Sequence, residues 1–219
     1  MYIFGKVRKL SSIDKDLIKL SELKKKFEIL VIDDNPLPAA QTLKNSGFQI
    51  HEMRDITEIS MVEKYPIVAC DIDGIGTVFR KNNGGIYVLS EIRKYYPDKF
   101  LILYSTKTQD IDGSLIKADV IFPKDTSIDT WQNHIETALV KNGNPKSRWL
   151  RIRKRLSEDG VDAYEIFLLE QAYIESIEGN DPEGMKNRDI LGKLSPASKD
   201  LIIKFVTTTI IMGFKELLK

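Results

Sequence analysis

Several of the chain's polar residues stand where an apolar run stops. Asp33 and Asp34 follow FEILVI, Asp71 follows IVAC, and Asp73 comes two residues later. Ser105 and Thr106 follow FLILY, and Lys124 follows DVIFP. Carboxylates gathered together repel one another, and their pKa values rise unless a cation joins them. A hard divalent ion with oxygen ligands, most naturally magnesium, relieves the repulsion and keeps positions open for phosphate oxygens. Asp71 is then placed to attack phosphorus as a carboxylate nucleophile. Magnesium and Lys124 would neutralise the transferring phosphoryl group, and the Ser105 hydroxyl would donate to one of its oxygens.

Such a set works only if the fold carries distant strand ends to one rim. Five short apolar runs, at 27–32, 48–53, 67–71, 100–104 and 119–122, alternate with stretches of helical character at 37–47, 57–65, 85–97, 111–118 and 127–141. The runs are nearly continuous, as parallel strands buried on both faces require. This predicts an α/β fold, a five-stranded doubly wound parallel sheet, in which ligands sit at the carboxyl ends of the strands near the topological switch point. Gly47 is placed to close the first of these helices in the left-handed conformation.

Around this domain, 27–141, the chain predicts three other parts. Residues 1–26 form a lysine-rich extension with a short amphipathic helix in DLIKLSELKKK. NGNPKS at 142–147 has linker composition, and 148–219 reads as helices only, the last beginning at Ser195-Pro196 with a good N-cap and first-turn pair and running to about Leu218. The apolar residues of that region, Phe167, Leu168, Tyr173, Ile177, Ile203, Phe205, Ile210 and Phe214 among them, exceed what one surface helix needs, and suit a small bundle core or a homodimer interface.

Bulk composition narrows the function. A net charge of +1 over 219 residues argues against a broadly basic nucleic-acid binder. The local cluster of Lys146, Arg148, Arg151, Arg153, Lys154 and Arg155 around Trp149 fits a solvated helix face, and leaves nucleic acid or an acidic partner as the other reading. A single cysteine forbids an intramolecular disulfide and suits a reducing compartment. MYIFGKVRKL lacks a secretory pattern, and LIIKFVTTTIIMGF is too short for a membrane span, so the expectation is a cytoplasmic protein without membrane contact. His51, His134 and Cys70 do not form a zinc pattern, and Cys70 should face away from Asp71 as a small buried side chain.

In order and phase, Asp33-Asp34, Asp71, Ser105 and Lys124 resemble the receiver domain of bacterial two-component response regulators. The resemblance spans 27–141. It implies Asp71 as phosphoacceptor, Asp33 and Asp34 as the acidic pair for Mg2+, and Asp73 offering its backbone carbonyl to the metal. It also implies Ser105 as switch hydroxyl and Lys124 as phosphate-sensing lysine. The implied partner is a histidine kinase or phosphotransfer protein, and the helical region would carry the output to an unidentified target. Such a chain is a regulator that catalyses only its own phosphoryl transfer. Asp-Ile-Asp-Gly at 71–74 is also similar to the first motif of haloacid-dehalogenase phosphatases, but that family places its acidic pair last, whereas here it comes first.

The chain departs from the receiver pattern in two places. Pro123 precedes Lys124 where receivers usually carry proline after it, and Ile121 occupies the place of the aromatic that rotates on activation. These departures fit the alternative of a phosphorylation-independent interaction module. The four-glycine loop GIGTVFRKNNGG suits a lid or a flexible insertion, and Asp73 and Lys107 stand where side chains tune phosphate lifetime.

Overall fold

A computed structural model describes residues 7–14, 18–106, 117–179, 181–187 and 189–211. By contacts the chain divides into two compact units, Lys19–Asn142 and Met1–Ile18 with Gly143–Lys219. The expected helix at 111–118, Lys107 and Phe214 lie largely or wholly outside the described residues.

The first unit is the sheet. Its strands are β1 (Glu28–Ile32), β2 (Gln49–Met53), β3 (Ile67–Cys70), β4 (Phe100–Ser105) and β5 (Val120–Pro123), with helices α1 (Leu20–Lys26), α2 (Ala40–Asn45), α3 (Gly84–Tyr95) and α4 (Ile128–Gly143). All strand pairs are parallel, in the order β2-β1-β3-β4-β5. That is the flavodoxin-like order, with the switch point between β1 and β3. β3 and β4 are buried throughout and β1 almost so, whereas β2 and β5 alternate as edge strands do. Pro123 ends an edge strand, where its missing N–H costs no ladder bond.

Two faces of the sheet are distinguishable. Leu30, Ile32, Val68, Cys70, Leu101 and Leu103 share one core with Val88, Leu89 and Ile92 of α3. Strand alternation turns Val31, Ala69, Ile102 and Tyr104 to the opposite face. There Trp131 of α4 meets the Tyr104 ring edge-on, with centroids 5.0 Å apart, and Phe122 at 4.6 Å.

The helices differ from the sequence reading at three points. α2 starts at Ala40 rather than near Leu37, because Pro38 restricts the residue before it to extended backbone. Gly47 does close α2, at φ 89°. The stretch 57–65 forms only the single 3-10 turn Ile59–Val62, since Pro66 stops it and Ile56, Val62 and Tyr65 are drawn into the core beside β3. α1 belongs to the sheet unit rather than to a separate extension: Leu23 and Phe27 are buried, and Lys24 pairs with Glu136 of α4 at 2.8 Å.

The second unit holds α5 (Pro145–Glu158), α6 (Ala163–Glu178) and α7 (Pro196–Ile211). Its core is Trp149, Ile152 and Leu156 of α5, Leu169, Tyr173 and Ile177 of α6, and Leu201, Phe205 and Val206 of α7. Tyr173 stacks on Trp149 at 5.2 Å and meets Phe205 at 5.0 Å, so the tail's apolar residues build a small bundle. Residues 7–14 belong here too. Ile13 is fully buried in that core, the Arg8 amide donates to Gln171 of α6 at 2.7 Å, and the Ser12 hydroxyl bonds Glu178. The expected linker 142–147 is mostly helix. Asn144 alone separates α4 from α5, and its side chain caps α5 by accepting the Ser147 amide at 3.0 Å, ahead of Pro145 in the first turn. Among the described residues no helix is long and apolar enough to cross a membrane.

Candidate functional site

The carboxyl ends of β1, β3, β4 and β5 place the predicted residues at one rim. Ladder bonds continue just past the strands: the Asp71 amide donates to Ile32 O at 3.0 Å, and the Lys124 amide to Ser105 O at 3.0 Å. Each functional side chain is therefore held by the strand that precedes it.

Asp33, Asp34 and Asp71 each offer a carboxylate oxygen within 4.8 Å of the others. Asp33 and Asp71 are buried and Asp34 is exposed. Lys124 closes the group. Its ammonium lies 2.7 Å from Asp71 Oδ2, and 3.0 and 2.8 Å from the two oxygens of Asp33. Burial alone would lower the Lys124 pKa. The hydrogen bonds that the ammonium donates to Asp33 and Asp71, with the charges of those carboxylates, outweigh it and hold the ammonium above the ordinary lysine value. The remaining Asp71 oxygen accepts the Ile72 amide at 2.7 Å.

Ser105 is 1% exposed at the end of β4, beside Pro123 of β5. Asp73 is exposed, and its carboxylate is not part of the three-carboxylate group. Cys70 faces the α3 core, opposite Asp71, with its thiol on Asp71 O at 3.1 Å. Burial first, and then the charges of Asp71, Asp55 and Asp33, push that thiol well above its usual range, so it is inert.

Glycines in the segment after Asp71 admit close approaches that a side chain would forbid. A Cβ on Gly74, which sits at φ +73°, would lie 2.5 Å from Asp34 Oδ2, so the glycine of Asp-Ile-Asp-Gly clears space for the Asp34 carboxylate. A Cβ on Gly85 would lie 1.8 Å from Asp71 O, and the Gly85 amide donates to Ile72 O at 3.1 Å. The start of α3 thus rests directly on the Asp71 main chain. The loop is also tied across to Asp55, whose carboxylate accepts the Ile56 and Gly76 amides at 2.7 and 2.6 Å and the Thr77 hydroxyl at 3.2 Å.

Sequence reasoning missed two residues, Asp55 and Tyr104. Tyr104 is fully buried, and its hydroxyl donates to Asp33 Oδ2 at 2.9 Å. Burial, and then the Asp33 charge and the hydrogen bond, raise its pKa far out of the physiological range, so it stays a donor. The only signal was a tyrosine inside an otherwise apolar run, whose buried hydroxyl needs some partner without the sequence saying which. Asp55, in a loop after β2, carried no such signal.

The basic cluster of the second unit is largely paired. Lys146 meets Asp14 at 2.6 Å, Arg153 meets Glu170 at 3.4 Å, and Arg155 meets Asp159 at 2.9 Å. Arg148 is buried on the Thr209 hydroxyl, and buried Trp149 donates to Glu170 at 2.7 Å. Arg148 is thus committed within the fold, whereas Arg153 and Lys154 stay exposed, with side chains 53% and 78% accessible.

No protein-family model matches the sequence, and no curated protein matches it significantly. Among solved structures the chain is similar to the receiver domain of NtrX from Brucella abortus, at 24% identity over 51% of this chain and 98% of that one, TM-score 0.44. It is also similar to the signal receiver domain of an HD domain-containing protein from Pseudomonas fluorescens Pf-5, at 17% identity over 63% and 95%, TM-score 0.43. Full-length FixJ from B. japonicum aligns at 16% identity over 86% and 98%, TM-score 0.42.

Proposed function

We propose that the sheet unit is a receiver-like signalling module that accepts a phosphoryl group on Asp71. One observation carries this reading: at the carboxyl rim of a 2-1-3-4-5 parallel sheet, a single ammonium bridges two buried carboxylates, 2.7 Å from Asp71 and 2.8 Å from Asp33. The charge arrangement suits a site that handles a phosphoryl dianion, since Lys124 is held protonated against the carboxylate that would receive it.

The donor set suits a hard cation. Three carboxylates with oxygens within 4.8 Å, two of them buried, fit magnesium, with Asp33, Asp34 and Asp71 as the protein ligands. When bound, magnesium would supply positive charge to the carboxylates and to phosphoryl oxygens. The chain's own residues supply the rest. An Asp71 carboxylate oxygen attacks phosphorus, a P–O bond forms to Asp71, and the bond to the donor's leaving atom breaks with its electron pair. The Ile72 amide on Asp71 Oδ1 leaves Oδ2 as the attacking oxygen, and Lys124 passes from that oxygen to the new phosphoryl group. In this reading Ser105, at the end of the neighbouring strand β4, donates its hydroxyl to the phosphoryl group.

In this reading the chain is a regulator rather than a turnover enzyme. Its phosphoryl source is a histidine kinase or phosphotransfer protein, and its output passes through the helical unit. Position 121 carries isoleucine, 39% exposed on edge strand β5, so no aromatic side chain is there to rotate, and in this reading the change of state travels by other contacts. The test is intact-mass analysis after incubation with magnesium and acetyl phosphate. One phosphate adduct is expected on the parent chain and none on Asp71→Ala. A parent chain that binds magnesium, yet gains no adduct and forms no beryllofluoride complex, would refute phosphoacceptance.

A further inference from the structure

Asp33 has little acceptor capacity left to give. A carboxylate offers about four lone-pair directions. Here Oδ1 faces the Asn35 amide at 2.9 Å and the Lys124 ammonium at 3.0 Å, while Oδ2 faces the Tyr104 hydroxyl at 2.9 Å and the same ammonium at 2.8 Å. These donors are not equivalent. Lys124 comes from the rim on a flexible stem, with 19% of its side chain exposed, and a cation arriving from solvent competes with it for the same oxygens. Tyr104 comes from below. It is fully buried in β4, and its ring is fixed edge-on against Trp131 and stacked near Phe122 at 6.4 Å. It has no route away from Asp33.

We infer that Tyr104 is a positioning residue for the cation site: its hydroxyl holds the Asp33 carboxylate in one orientation, so that when Lys124 yields, the oxygens offered to a divalent ion are already set. This rests on the magnesium reading above and adds a residue to it from the floor of the site rather than its rim. The physical basis is general. A ligating carboxylate needs its own hydrogen-bond partner, and removal of such a partner typically weakens metal binding about 10–100-fold. The alternative role for Tyr104, filling space beside Trp131, belongs to the ring and not to the hydroxyl.

Tyr104→Phe separates the two, because it deletes one oxygen and keeps the ring. Magnesium affinity is measured by isothermal titration on the full chain, for the parent, Tyr104→Phe, Asp33→Asn and the double variant, each with its melting temperature in EDTA. The expected result is an affinity about tenfold weaker in Tyr104→Phe, at the lower end of that range. The same change made in the Asp33→Asn background should have no further effect, because the hydroxyl acts through Asp33 alone. A parent that binds magnesium with a Tyr104→Phe variant within twofold of it overturns the inference and leaves the receiver reading standing. An equal loss in both backgrounds also overturns it, since the effect would then be structural. A parent that does not bind magnesium at millimolar concentrations overturns both.

Discussion

Gly85→Ala is a sharp test of how the Asp71 strand end is held. A Cβ at this position would stand 1.8 Å from Asp71 O, 2.8 Å from Asp71 C and 2.9 Å from Ile72 Cα, against an ordinary contact distance of 3.4 Å or more. All three obstacles are main chain, so no rotamer change can relieve them; the first turn of α3 and the Asp71 segment must separate by more than an ångström. Overpacking of this kind costs about 1–3 kcal/mol. The separation also strains the hydrogen bond from the Gly85 amide to Ile72 O, worth about 1 kcal/mol. Against this, alanine gains up to about 1 kcal/mol over glycine inside a helix. The balance is a loss of about 2 kcal/mol, or roughly 30-fold in the folded-to-unfolded ratio. Native-state hydrogen exchange at the β3 amides reads the sheet unit directly, without interference from the helical one. Gly192→Ala, read at the amides of its own helical unit, is the control: nothing lies within 4 Å of its added Cβ, and its stability should be unchanged. If Gly85→Ala altered β3 protection by less than about 0.5 kcal/mol, the span usual for neutral surface substitutions, the reasoning from close approach would be refuted.

Three further outcomes are expected. Lys124→Met, in cation-free buffer at neutral pH, should lose about 1–2 kcal/mol, discounted from a fully buried pair because the lysine side chain is 19% exposed. The Lys124 pKa is raised on folding, so its stabilisation is complete below the ordinary value of 10.5 and is lost as pH rises through the higher folded value. Urea unfolding of parent and variant should therefore converge at alkaline pH, and a constant gap would show that charge is not the cause. Asp55→Ala removes the acceptor for the Gly76 amide and the Thr77 hydroxyl, and Gly76 amide exchange should rise at least tenfold; unchanged exchange would mean the loop is held otherwise. Asn144→Ala deletes the α5 cap and should destabilise the helical unit by about 1 kcal/mol, checked by exchange of the Ser147 amide.

Strand ends were the legible part of this chain. The runs ending at Asp33, Asp71, Ser105 and Lys124 are short, apolar and separated by helical text, so their common rim followed from the rules of parallel sheets, and the sheet order agrees. Edge and centre were not legible: β2 and β5 read like their neighbours but are half-exposed, because edge position depends on the crossovers and not on local composition. The stretch 57–65 carries a helical period yet forms one turn, since the core claims Ile56, Val62 and Tyr65. In the site, Lys124 was legible by chemistry and Tyr104 was not, because a tyrosine in an apolar run looks like packing until its hydroxyl partner is located 71 residues away. The role of Gly74 also inverted: a motif shared with phosphatases proves to be clearance for Asp34.

The docking of residues 7–14 on α6 bears on the order in which this chain can fold during synthesis. The helical unit is discontinuous, built from residues 7–14 and from those beginning at Gly143, with the whole sheet unit inserted between. Ile13 leaves the ribosome before the sheet unit, but Trp149, Tyr173 and Phe205, which share its core, arrive only after that unit is complete. At about 5–20 residues per second, the stretch from 143 to 211 takes roughly 3–14 s to appear, during which Lys19–Asn142 has every strand it needs. The nascent chain should thus pass through a stage with a finished sheet and an unsheltered 7–14 segment, in which Ile13 waits exposed for the core it will later enter.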